Sequence, residues 1–155
     1  MAGEEVPKQA PSDTKLAQER MGKIFEASKG KERAPSYNEA VKRVDKARKQ
    51  IEGLRAKLKK MEDPKDKEAL VAKSIKLLKF AKSKGWQGEI KPMYQISAVA
   101  SQVNEEMWRV ELGVRDITNA DQINDQLEKR FDDPATRRKV VKNFEAYVEQ
   151  LQSVT

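Results

Sequence analysis

The chain has 155 residues, no Cys and no His, 37% charged and 6% aromatic residues, and a formal net charge of +7 with a pI near 9.5. That length supports one modest core and not two, and the missing Cys and His exclude disulfides, Cys/His zinc sites, cysteine nucleophiles and an imidazole general base. Residues 1–91 hold 24 Lys/Arg against 14 Asp/Glu, or +10, while 92–155 hold 8 against 11, or −3, so the first part gathers polyanions and the second repels them.

Residues 1–12 carry Gly3, Pro7 and Pro11 and almost nothing to bury, which reads as a flexible or partner-ordered tail. They lack the charged and apolar regions of a signal peptide, and no stretch approaches the length of apolar residues a membrane span needs. The expected location is a virion or the cytoplasm. A first helix is expected from Ser12 or Asp13, with Leu16, Ala17, Met21, Ile24 and Phe25 at helical spacing and Gly30 as its stop.

After the break at 31–35, Ser36 and Glu39 form an S-x-x-E capping signature at the head of a helix over 37–62. Its apolar seam, Tyr37, Ala40, Val44, Ala47, Ile51, Leu54, Leu58 and Met61, alternates steps of three and four residues without a break. Such a seam serves either a dimeric coiled coil or packing inside this chain's own bundle against the helix before or after it. Asp63-Pro64 supplies a cap and a first-turn proline for a helix over 64–84, with Leu70, Val71, Ile75, Leu77, Leu78 and Ala81 inward and Gly85 as its end. The tight turn between these two helices predicts an antiparallel hairpin. Residues 85–92 read as loop.

From 93 to about 108 the positions Ile96, Val99, Ala100, Val103 and Met107 keep helical spacing, whereas Trp108 to Arg115 alternates apolar and polar as a strand would. A lone strand lacks a partner, so helix or extended linker is favoured over 107–116 and strand stays open. Thr118 with Asp121 predicts the cap of a helix over 119–131, and Asp133-Pro134 starts the last one, over 134–153. The expected fold is therefore all-α: a tail at 1–12, an extended basic helical arm or hairpin over 13–91, and a helical bundle over 92–155.

The chemistry-bearing residues are cations. Lys42, Arg43, Lys46, Lys49, Lys57 and Lys60 project from the 37–62 helix away from its seam, and Lys73, Lys76, Lys79, Lys82 and Lys84 follow on the next helix with no carboxylate after Glu68. Cations spaced along a rod suit a phosphate backbone, since each neutralises a phosphate and releases its condensed counterion. A merely solvated lysine face, an acidic protein partner and an anionic membrane surface are the competing readings. Trp86, Tyr94 and Trp108 flank the central loop and serve either core and subunit contacts or base stacking. The carboxylate pairs Glu62/Asp63, Glu105/Glu106 and Asp132/Asp133 sit at helix ends or caps, where dipole and capping roles account for them. No phosphate loop, nucleophile elbow, catalytic lysine context or metal-ligand spacing is visible, so neither enzyme, cofactor nor metal is expected.

This layout resembles the DNA-wrapping major capsid proteins of filamentous viruses of hyperthermophilic archaea, over most of the chain but as architecture and without a family-specific motif. The resemblance implies a basic helical arm, here 13–29 and 36–62, followed by a compact bundle, with dimers assembling around DNA held in A form. The chain departs from that plan in placing its densest lysines in 64–84, which leaves the arm's boundary open. The function expected is sequence-independent nucleic-acid binding and packaging through phosphates, with double-stranded DNA favoured and a homo- or hetero-oligomer as the working form. The alternative is a protein-interaction module, an adaptor, chaperone or regulator, docking a partner through the heptad seam.

Overall fold

The structure, a computed structural model, describes residues 33–86 and 88–155; the tail expected at 1–12 and the helix expected at 13–29 lie outside them. The described residues form five α-helices and one 3-10 turn, with no strand among them: α1 (Tyr37–Met61), the turn Pro64–Asp66, α2 (Lys67–Ser83), α3 (Ile96–Leu112), α4 (Ala120–Arg130) and α5 (Pro134–Val154). The all-α class read from the sequence is the class observed.

Local chemistry sets most helix boundaries. Ser36 Oγ accepts from the Glu39 amide at 3.1 Å to start α1, and Asp133 Oδ2 accepts from the Thr136 amide at 3.0 Å to start α5, with Pro134 in its first turn. The α4 cap is Asn119, which accepts from the Gln122 amide at 3.0 Å. Thr118, the expected cap, instead donates its hydroxyl and amide to Asp116 Oδ1 one step earlier in the turn. α3 runs on through Trp108 to Leu112, so most of the stretch that alternates like a strand is helix. Gly113 takes a left-handed φ of 69°, its amide reaches Arg109 O at 2.9 Å, and the Val114 amide reaches back to Trp108 O at 3.3 Å. Trp108 and Leu112 are one helical turn apart and both buried, and Val114 tucks under that terminus, also buried. The apparent alternation is thus a helix end followed by its apolar clasp.

Neighbouring pairs give the helix directions. Pro35 meets Arg137 and Arg43 meets Glu145 at one constant offset of 102 residues, so α1 and α5 run parallel. Glu62 meets Ser97 and Arg55 meets Ser101, so α3 runs opposite to α1. Ser74 meets Met93 and Trp86 meets Glu111, which sets α2 alongside α3 in the same direction. The twelve residues between Ser83 and Ile96 carry the chain back to the start of the next helix; extended, they reach ~40 Å, against ~25 Å for a 17-residue helix.

The expected hairpin is not the packing unit. α1 packs chiefly on α5 and also on α3, α2 packs on α3 and also on α5, and α1 and α2 share no substantial contact. Glu62 (φ −69°, ψ 106°) and Asp63 (φ −131°, ψ 127°) are both extended, which carries the chain off the α1 axis before α2 begins. The four long helices close a ring in the order α1, α5, α2, α3, with α1 and α2 at opposite corners. No boundary falls at 91/92 either: Ala34–Thr155 is one compact unit, because among the described residues the α1 seam packs chiefly on helices from the C-terminal half.

Most of that seam is closed. Ala40, Val44, Ala47, Ile51, Leu54 and Leu58 are buried within the chain's own bundle, against α5 and α3 and without substantial contact to α2, whereas Tyr37 at its start is 40% exposed and Met61 at its end is half-buried. On α2 the buried stripe is Leu70, Ser74, Leu77 and Ala81, and Ile75, expected inward, is 38% exposed. Ser74 can be buried because its hydroxyl donates to Val71 O at 2.8 Å and accepts the Met93 amide at 3.2 Å. Both tryptophans belong to the core. Trp86 packs edge-on against Phe80 and Tyr147 and donates Nε1 to the buried Glu111 carboxylate at 2.8 Å, and Trp108 packs edge-on against Phe144. Tyr147 donates to Ala100 O at 2.9 Å, and its complete burial pushes the phenol pKa up.

Candidate nucleic-acid interface

With its seam turned inward, α1 has one face left for solvent. At 100° per residue, Lys42, Lys46, Lys49, Gly53, Lys57 and Lys60 follow one another in steps of four, three, four, four and three residues along the face opposite the seam, and all six are exposed. From Lys42 to Lys60 the row runs ~27 Å at 1.5 Å per residue. Lys49 Nζ lies 3.2 Å from Asp45 Oδ2; Lys42, Lys46, Lys57 and Lys60 pair with no carboxylate among the described residues. Gly53 interrupts the row at its middle, and a Cβ there would meet nothing within 4 Å.

Arg43 stands apart from the row. Its guanidinium grips Glu145 through two bonds, Nε to Oε2 at 2.8 Å and a terminal nitrogen to Oε1 at 2.5 Å, and so ties α1 to α5. On α2, Lys76, Lys79 and Lys82 are exposed, whereas Lys73 and Lys84 are half-buried and the Lys84 ammonium sits 5.8 Å from the centre of the Phe80 ring. The structure therefore brings Lys42, Lys46, Lys49, Lys57 and Lys60 together on one helix face, and sets the α2 lysines on another corner of the bundle.

The flanking carboxylates hold the scaffold. Asp45 serves both Arg48, at 2.7 Å, and Lys49, and those hydrogen bonds hold its pKa below the ordinary value. Glu62 reaches from the end of α1 to the start of α3, where it accepts from the Ser97 amide at 2.8 Å and the Ser97 hydroxyl at 2.5 Å. Gln95 gives α3 no side-chain cap of its own, so Glu62 fills that role from another element. Glu106 pairs with Arg109 at 2.9 Å, Asp63 accepts from the Lys65 amide at 2.9 Å, and Asp133 caps α5. Among the described residues no group of three or more such side chains is placed to hold a metal ion, and no helix is long and apolar enough to cross a membrane.

A groove of about 500 Å³ lies between α1 and the 117–127 segment over Val41, Val44, Ile117, Ile123 and Leu127. Its floor is apolar, and of the lysine row only Lys42 touches its lip. Of the three aromatics that flank the central loop, Trp86 and Trp108 are buried and half-buried Tyr94 lies 4.9 Å under the Lys67 ammonium; Tyr37, edge-on to Phe131 at the start of α1, is 40% exposed. Sequence reasoning passed over Gly53 and the reach of Glu62 to Ser97. The first was legible as the one non-lysine step in the row; the second depends on a contact across 35 residues.

Comparison of the chain with known protein families, with curated proteins and with solved structures finds no match in any of the three.

Proposed function

We propose that the chain is a structural, sequence-independent nucleic-acid-binding protein that takes double-stranded DNA through its phosphates and packages it, as the resemblance to DNA-wrapping capsid proteins implies. The observation that carries this reading is the solvent row Lys42, Lys46, Lys49, Lys57 and Lys60, four of whose five ammonium groups pair with no carboxylate among the described residues. A solvated helix face ordinarily mixes signs at i, i+4 spacing; in this row only Lys49 has such a partner, Asp45. Its length matches a stretch of duplex backbone, and because the helix already fixes the backbone, binding has only the lysine side chains to order. The burial of the α1 seam from Ala40 to Leu58 supports this reading over a protein-interaction module docking through that seam, and the burial of both tryptophans supports contact with phosphates over contact with bases.

Titration of a random-sequence duplex over about 50 to 300 mM salt tests it. Four or five phosphate contacts give a slope of log affinity against log salt near −4, and Lys46→Glu/Lys57→Glu flattens it by about 2. Absence of binding at the lowest salt overturns the reading.

A further inference from the structure

The ring order of the helices has a consequence for how many duplexes one protomer engages. α1 and α2 occupy opposite corners of the bundle, each contacting α3 and α5 and sharing no substantial contact with each other. Each buries the side turned to the ring's centre, so their solvent faces point in opposite directions. On the α1 face stand Lys42, Lys46, Lys49, Lys57 and Lys60; on the α2 face stand Lys76, Lys79 and Lys82. Between them on one side lies α3, with Arg109 beside Glu105 and Glu106, and on the other lies α5, whose Arg137, Arg138, Lys139 and Lys142 precede Glu145 and Glu149. Neighbouring helix axes are ~10 Å apart, which puts the diagonal axes at ~14 Å, and a side-chain reach of ~6 Å on each flank separates the two sets of ammonium groups by about 25 Å. A duplex is stiff over far more than that distance, so one straight segment cannot lie on both faces.

We propose that a single protomer holds two separate duplex segments at once, one along α1 and one along α2, and so acts as a bridge between them. The inference rests on the nucleic-acid reading above and adds the number and placement of the bound segments. The α1 face is the stronger of the two, with its longer lysine row, and the α2 face completes the bridge. A lone basic face coats one duplex; two opposed faces draw neighbouring stretches together, which is what packaging demands.

The test mixes two random-sequence duplexes of about 20 base pairs, one carrying an energy donor and the other an acceptor, with limiting full-length protein at about 50 mM salt. The reference variants are Lys76→Glu/Lys79→Glu on α2 and Lys46→Glu/Lys57→Glu on α1, each checked for an unchanged helical circular-dichroism spectrum. The wild type is expected to give energy transfer between duplexes. The α2 variant should keep its affinity for one duplex within about tenfold and lose most of the transfer. The α1 variant should lose transfer together with most of its affinity. Binding without transfer in the wild type overturns the bridge and leaves the single-face reading intact. Transfer undiminished in the α2 variant overturns it too, since the bridge would then be made by pairs of α1 faces in an oligomer. No binding by any form overturns the underlying nucleic-acid reading.

Discussion

Glu62 illustrates what one side chain does when its partner comes from another helix. Burial works to raise its pKa, but the Ser97 hydroxyl and amide, with Lys59 beyond them, outweigh that and hold it below the ordinary carboxylate value. A carboxylate whose folded pKa is lowered contributes stability that is fully present above its unfolded pKa, near 4.5, and is lost as pH falls through the lower folded one. Glu62→Gln keeps the shape and discards the charge. Its melting temperature is expected to lie below the wild type's at pH 7, with the gap closing between about pH 5 and pH 3; a gap constant across that range would remove the charge from the explanation. Trp86 and Glu111 make the complementary point, since a buried carboxylate is tolerated there by an indole N–H 2.8 Å away.

At the scale of the element, α1 is a helix whose two faces have separate tasks. The seam obeys steps of three and four and is buried from Ala40 to Leu58; the opposite row obeys the same steps and is exposed. Gly53 is anomalous on both counts, because it adds no cation and in an exposed helix interior costs about 1 kcal/mol relative to Ala. With open space where a side chain would project, Gly53→Lys is expected to stabilise the fold by roughly 0.5–1 kcal/mol in urea unfolding and to steepen the salt slope of duplex binding by about 0.9. Stabilisation without a steeper slope would mean that no phosphate passes this point of the row.

For the whole molecule, the electrostatics of folding and of binding separate. Four of the six ion pairs with described geometry, those of Asp45 with Arg48 and Lys49, Arg48 with Glu52, and Glu106 with Arg109, join neighbours on one helix near the surface, where such pairs contribute little. Stability comes instead from the shared core of α1, α2, α3 and α5. Raising salt from about 50 to 300 mM is therefore expected to move the melting temperature by less than about 4 °C, while duplex affinity falls by orders of magnitude over the same range. A fold that melted with the same salt dependence as the complex would show that the lysine rows also serve the scaffold.

Local signals were readable wherever the answer is local. Periodicity over Ala40 to Leu58, the caps at Ser36 and Asp133, and the lysines opposite the seam are properties of one helix at a time, and 3.6 residues per turn converts spacing into faces without knowledge of a partner. Local signals were ambiguous where two interactions competed for the same residues: the Trp108–Val114 alternation left strand open beside the favoured helix until a left-handed Gly113 made it a helix terminus, and Thr118, expected to cap α4, is held by Asp116 while Asn119 caps. Sequence alone determined that this chain is helical, that α1 has an apolar side and a lysine side, and that its cations are concentrated before residue 92. Only the tertiary structure decided which helices share the core. The seam of α1 accepts any apolar partner of matching spacing, and two extended residues at 62–63 released α2 to the far corner, so that α5 and α3 took its place and the two lysine-bearing helices came to face opposite ways.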